Sequence, residues 1–111
     1  MSKEAVYLQE GKVIDWKNDT TSNVLVGEVI PFKNIVGIAV TNIAIGDVGA
    51  VSISGVYQMP AVKTTAFEVG DKLYWNDTAN QLTATATDNT YAGICVEPKN
   101  SATEIALIKL G

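Results

Sequence analysis

Four glycines mark out a unit that the chain uses twice. Gly37 and Gly55 stand at the same spacing as Gly93 and Gly111. The segments that open at these glycines read Gly37-Ile38-Ala39-Val40 and Gly93-Ile94-Cys95-Val96. Both close on alternating apolar residues and a glycine, Ala50-Val51-Ser52-Ile53-Ser54-Gly55 and Ala106-Leu107-Ile108-Lys109-Leu110-Gly111. Upstream of each lies another matched piece, Val26-Gly27-Glu28-Val29-Ile30 and Val69-Gly70-Asp71-Lys72-Leu73. Apolar residues at every second position have the period of a strand with one buried face, and glycine marks the bends between strands. The expected fold is therefore all-β, a compact β-barrel or β-clip-like domain with internal duplication of a strand-turn unit. It would form a single domain over residues 1–111, with pseudo-repeats at about 5–55 and 56–111. The interval from Gly70 to Gly93 exceeds that from Gly27 to Gly37 by about the length of residues 76–88, which predicts an inserted hairpin projecting from the body.

Along the chain, β-branched residues and alternation dominate, and no stripe of helical period stands out. Val6 and Leu8 begin a first strand, broken at Gly11 and resumed over residues 12–16. Residues 17–23 are polar and read as a loop. Residues 24–32 read as a strand interrupted at Gly27, and Pro31 places it near a rim, because proline cannot donate to a central ladder. Residues 35–40 are a short apolar run suited to a buried strand. Residues 50–57 alternate as one strand, with Val51, Ile53 and Gly55 on one face. Residues 63–68 are the one candidate for a single helical turn. Residues 72–75 form a strand, 76–80 a hairpin turn, and 81–87 a return strand with Leu82, Ala84 and Ala86 on one face. Residues 91–96 and 104–110 complete the set.

A chain of 111 residues is long enough to bury a core without metal or disulfide. An apolar content of 47% with 18% charged residues argues against disorder. With 12 acidic and 8 basic residues the net charge is −4, and no basic run offers a footprint for nucleic acid. No apolar run reaches membrane-spanning length. Met1-Ser2-Lys3-Glu4 lacks the layout of a signal peptide, so synthesis in a cytoplasm is expected. The lone Cys95 excludes an internal disulfide. Asn18-Asp19-Thr20 and Asn76-Asp77-Thr78 fit the glycosylation pattern but read more simply as turns.

Chemistry finds little purchase. There is no histidine, which removes the usual neutral-pH base and every histidine-dependent triad or metal site. Cys95 lies in the apolar run Ile94-Cys95-Val96 and reads as a core residue rather than a nucleophile. Glu28 and Asp71 follow matched glycines. They could meet as an acid/base pair, but a carboxylate after a turn glycine more simply accepts from nearby backbone N–H groups. Asp15, Asp19, Asp47, Asp77 and Asp88 do not have calcium-loop spacing, and no phosphate-binding glycine loop is present. No catalytic residue, metal or cofactor is expected. The aromatics Trp16, Phe32, Tyr74 and Trp75 could form a contact surface. Tyr74 and Trp75 alternate, so at most one of the two enters the core.

Taken in order, several pieces resemble one family. They are Tyr7-Leu8-Gln9-Glu10-Gly11 with Ile14-Asp15, Gly27-Glu28-Val29, Gly37-Ile38-Ala39, and Ile45-Gly46-Asp47-Val48-Gly49 leading to Gly55-Val56-Tyr57-Gln58-Met59-Pro60. Gly70-Asp71-Lys72-Leu73-Tyr74-Trp75-Asn76, residues 83–87, Gly93-Ile94-Cys95 and Ile108-Lys109-Leu110-Gly111 follow. This succession is similar to the small capsid cement, or decoration, proteins of tailed phages, found in phage and prophage structural modules and long described as a domain of unknown function. The polar loop 17–23 departs from that likeness. The resemblance implies a structural, non-enzymatic protein on the outer capsid surface, made in the host cytoplasm. Its partners would be the major capsid protein and two further copies of itself in a trimer, with no nucleic acid or membrane. Tyr7, Leu8, Trp16, Phe32, Tyr74 and Trp75 are the candidate capsid or subunit interface residues, and residues 1–9 the candidate arm. The alternative is a small β module that binds a carbohydrate or other small ligand through exposed aromatics.

Overall fold

The structure, a computed structural model, describes residues 12–111. The strand expected at Val6 and Leu8 lies outside the described residues. Among the described residues all regular structure is β. Strands β1 (Val13–Lys17), β2 (Val29–Pro31), β3 (Val36–Ala39) and β4 (Val48–Ser52) form an antiparallel sheet in the order β1-β4-β3-β2. Strands β5 (Gly55–Pro60), β6 (Lys72–Asn76), β7 (Gln81–Thr83), β8 (Thr90–Cys95) and β9 (Ile105–Leu110) form a second, in the order β5-β9-β8-β6-β7. Pro31 falls on an edge strand, where its missing N–H costs no ladder bond.

The two sheets pack as an open β-sandwich, which corrects the barrel expectation. The reason lies at residues 50–57, read above as one strand. Strand β4 ends at Ser52 and β5 begins at Gly55 in the other sheet. At the corner the Ser52 hydroxyl donates to the Ser54 carbonyl at 2.9 Å, and Gly55 takes φ 114°. A closed barrel needs a hydrogen-bonded ladder that runs continuously around it, and no ladder joins the two sheets. The corner separates them. The five-stranded sheet curls far enough for its edges to touch at one parallel bridge, Ala61 to Leu82, but does not close.

The main core fills the space between the sheets. Val36 and Ile38 of β3 meet Met59, Leu73, Trp75, Leu82, Cys95, Ile108 and Leu110 of the second sheet, with Phe67 from the connection between β5 and β6. The other face of the first sheet carries a smaller cluster of Val24, Ile30, Ala39, Ile43 and Val51, overlain by Ile14, Trp16 and Phe32. Strand β3 is thus buried on both faces. That double burial explains why residues 35–40 read as a continuous apolar run rather than an alternating one.

Three turns of one design hold the loops in place. In each, a backbone N–H closes on a carbonyl three residues earlier: Glu28 to Leu25, Asp47 to Ala44 and Asp71 to Glu68, at 3.0–3.1 Å. The third residue is Gly27, Gly46 or Gly70, with φ between 85° and 96°. A type II turn requires positive φ there, and glycine adopts it without steric cost. Each turn is clamped by one buried residue that exchanges two backbone hydrogen bonds with the glycine and the acid. Ala39 clamps Gly27-Glu28, Asn18 clamps Gly46-Asp47, and Cys95 clamps Gly70-Asp71. The first two turns also grip each other. Val24 and Ile43 pair through mutual bonds of 2.9 and 2.7 Å, the Asn42 side chain accepts from Val26 N–H, and the Asn23 side chain accepts from Ile45 N–H.

Asn18 explains the polar loop. Its side chain is fully buried and donates to the Ile43 and Ser22 carbonyls, and it accepts from Thr20 N–H and the Thr20 hydroxyl. The matching Asn76 accepts from Thr78 and Ala79 N–H groups in an exposed turn. Both Asn-Asp-Thr sequences are therefore turn-forming, as expected.

Other expectations change. Residues 63–68 form no helical turn. Phe67 instead pairs antiparallel with Lys99, at 2.9 and 3.0 Å. The return strand at 81–87 ends at Thr83, with Leu82 fully buried but Ala84 and Ala86 exposed. Hence Leu82, at the middle of segment 76–88, belongs to the core, while residues 77–80 and 84–88 on either side of β7 are exposed. The sequence match of Val51 to Leu107 also slips by one: Ala39 faces Val51, whereas Cys95 faces Ile108. That slip moves a residue to the other face of its strand, and Leu107 indeed points away from the buried Ile108.

Two glycines test different constraints. A Cβ on Gly93 would lie 2.0 Å from the Lys109 carbonyl oxygen, whereas one on Gly46 would meet nothing within 4 Å. Gly93→Ala should therefore cost about 3 kcal/mol or more through backbone displacement, and Gly46→Ala about 1–2 kcal/mol through conformation alone. Urea unfolding midpoints check the order; equal losses would contradict it. Asn18→Ala should cost about 1–3 kcal/mol because it strands buried backbone groups, read in the same titration against Asn76→Ala, whose exposed turn should lose less.

Candidate docking surfaces

The outward positions of the five-stranded sheet form one candidate contact surface among the described residues. Alternation turns Tyr57, Met59, Leu73, Trp75, Cys95, Ala106, Ile108 and Leu110 inward, so their neighbours face out. One row crosses four strands by direct pairing: Val56 faces Lys109, Lys109 faces Ile94, and Ile94 faces Lys72. Val56 is 61% exposed and Ile94 37%. A second row runs through Gln58 and Leu107, which pair across β5 and β9. Beside it, Gln58, Ile105 and Leu107 line a shallow groove of about 250 Å³ with the loop that contains Glu97, Pro98 and Asn100.

At the far side of the row the ladder register steps by one. Leu73 faces Gly93 but Tyr74 faces Tyr91, which leaves Ala92 without a partner on β6. This bulge keeps Leu73, Trp75 and Ala92 in the core while setting Tyr74 beside Tyr91 on the outer face. The two rings meet edge to face, with centroids 5.8 Å apart and planes at 71°.

The interface candidates divide among three places. Tyr74 lies on this outer face, half-buried against Tyr91. Trp75 is 5% exposed in the main core, its indole N–H donating to Asp77 at 3.0 Å. The alternation argument thus sorts this pair, and Tyr74 is the one left at the surface. Trp16 and Phe32 come together on the first sheet, centroids 6.1 Å apart, also edge to face. Their rings cover the small cluster and the close approach of β3, where a Cβ on Gly37 would meet Val51 at 2.4 Å and Phe32 at 2.9 Å. Tyr7 and Leu8 lie outside the described residues.

The reactive side chains are engaged structurally. Glu28 accepts from Leu25 N–H and Asp71 from Glu68 N–H, both at 2.8 Å, so each carboxylate closes its own turn. Cys95 is fully buried, its thiol donating to the Glu97 carbonyl at 3.1 Å. Sequence reasoning missed Lys99. It is 5% exposed, its ammonium 5.0 Å from the Phe67 ring centroid and bonded to the carbonyls of Thr65 and Asn100. The carbonyls and the ring face stand in for water around this cation. No local pattern marks it, because its position is set by the long-range pairing with Phe67.

A search of curated proteins and one of solved structures gave no match. A scan against family models matched residues 8–110 to the phage cement protein family. Membership of that family carries association with the phage capsid and a place in the virion. The match covers nearly the whole chain and runs through both sheets, so the chain belongs to the phage cement protein family.

Proposed function

We propose that this chain is a head decoration protein that binds the outer surface of the expanded capsid and stabilises the shell. The family match over residues 8–110 carries the reading. The major capsid protein is the partner, and the working form is a homotrimer that seats on the shell after synthesis in the host cytoplasm. Several weak sites joined in one trimer bind far more tightly than one alone, because each contact after the first is intramolecular. An antiparallel sandwich suits a load-bearing role, since its strands are cross-linked by hydrogen bonds along their length and resist being pulled apart together. The role asks for no catalytic centre and no cofactor. The whole chain acts as one β domain of two related halves. The shared clamps at Gly27-Glu28 with Ala39 and at Gly70-Asp71 with Cys95 support that reading.

Co-sedimentation tests the function. Purified protein mixed with expanded, undecorated head shells of the phage that encodes it should pellet saturably, at a fixed ratio to the major capsid protein, and raise the temperature at which the shells rupture. Protein that remains in the supernatant with expanded shells would contradict the proposal. Residues 1–9, which lie outside the described residues, are proposed as an arm that adds a strand to a capsid edge. Removing Met1 to Glu4 should then weaken pelleting without lowering the unfolding midpoint. Full binding by the shortened chain would refute the arm.

A further inference from the structure

Charge is unevenly placed on this molecule. The chain carries 12 carboxylates against 8 basic residues, yet the outward strand positions of the five-stranded sheet hold two lysines and no carboxylate. On the row Val56–Lys109–Ile94–Lys72, the lysines straddle Ile94 from the strands on either side. Adjacent strands lie about 4.8 Å apart, so the two stems rise about 10 Å from each other. Neither ammonium is ion-paired among the described residues, in contrast to Lys63, which has Glu104 at 3.7 Å. Lysines with carboxylates beside them would be neutralised in place. These two are flanked by Val56, Ile94 and the Tyr74–Tyr91 pair, apolar and aromatic groups of the kind that carry binding energy at interfaces.

We infer that this face is the capsid-docking surface, and that its occupant is a carboxylate-bearing strip of the major capsid protein. Lys72 and Lys109 take two acidic side chains spaced across it, and Ile94 packs between them. The inference rests on the decoration role proposed above and adds the contact surface and the chemistry of the partner. A net negative body whose outward strand positions on this sheet carry lysines and no carboxylate also favours approach in the docking orientation, because unlike charge steers encounter.

The test compares the wild-type chain, the double reversal K72E/K109E, and the double variant K63E/K33E, which changes net charge equally away from this face. Each is titrated onto expanded, undecorated shells at low and at high salt. Circular dichroism melting and light scattering report fold and oligomeric state. The double reversal should lose binding by more than about tenfold at low salt, since it sets like charges opposite each other. The control should stay within about twofold of wild type, and high salt should weaken wild type more than the double reversal. Melting temperature and mass should be unchanged. Binding by the double reversal equal to wild type would overturn this face while leaving the decoration role intact. A change of oligomeric mass in the double reversal would overturn it in favour of contact between copies of this chain. Wild-type protein that fails to bind any shell would remove both the face and the role. If the double reversal proved unfolded, K72Q/K109Q, which removes charge without reversing it, should still weaken binding and flatten the salt dependence; an unaltered salt dependence would refute the proposal.

Discussion

A glycine followed by a carboxylate, closed into a turn and clamped by one buried residue of a distant segment, is the joint on which this fold hangs. It occurs at Gly27-Glu28, Gly46-Asp47 and Gly70-Asp71, and each clamp supplies two backbone hydrogen bonds. The turns sit where loops leave the sheets, and the hydrogen bonds of each clamp offset the entropy cost of ordering the connection and make it part of the framework. The Val24–Ile43 pairing and the Asn23 and Asn42 side chains then tie two of these turns together. Short strands, some of only three residues, are stable here because their ends are held from outside the ladder as well as within it.

Much of this was legible in the sequence and some was not, for identifiable reasons. Alternation located most strands, and the apolar run at 35–40 correctly marked a strand covered on both faces. Pro31 identified an edge. Tyr74 and Trp75 sorted to opposite faces because side chains alternate along a strand regardless of context. Residues 50–57 misled because their alternation continues through a corner. Nothing in the apolar pattern distinguishes a strand that proceeds from two strands in register across a bend. Ala84 and Ala86 misled for the opposite reason, since small residues satisfy an apolar pattern without requiring burial.

The paired turns were missed although their signal is local. Asn23-Val24-Leu25-Val26-Gly27-Glu28-Val29 and Asn42-Ile43-Ala44-Ile45-Gly46-Asp47-Val48 share one pattern. The asparagines in it are the residues that reach across to the other turn. Asn18 and Lys99 had no comparable signal. Each is buried by a partner far away in sequence, Asn18 by Ile43 and Lys99 by Phe67, and such pairings exist only once the topology is known. The docking surface lay between these cases. Its residues alternate visibly within each strand, but the row Val56–Lys109–Ile94–Lys72 joins four strands whose order is β5-β9-β8-β6 and follows from the sheet alone.

The protein is proposed to act as a brace whose five-stranded sheet meets the shell with its outer face, while the Gly70-Asp71 clamp on Cys95 helps to fix that sheet. An electron cryomicroscopy reconstruction of the decorated head tests this most directly. It should place the protein on the exterior, with the row from Val56 to Lys72 against acidic side chains of the major capsid protein. Density inside the shell, or a protein seated through the Trp16–Phe32 side with the five-stranded sheet facing solvent, would contradict it.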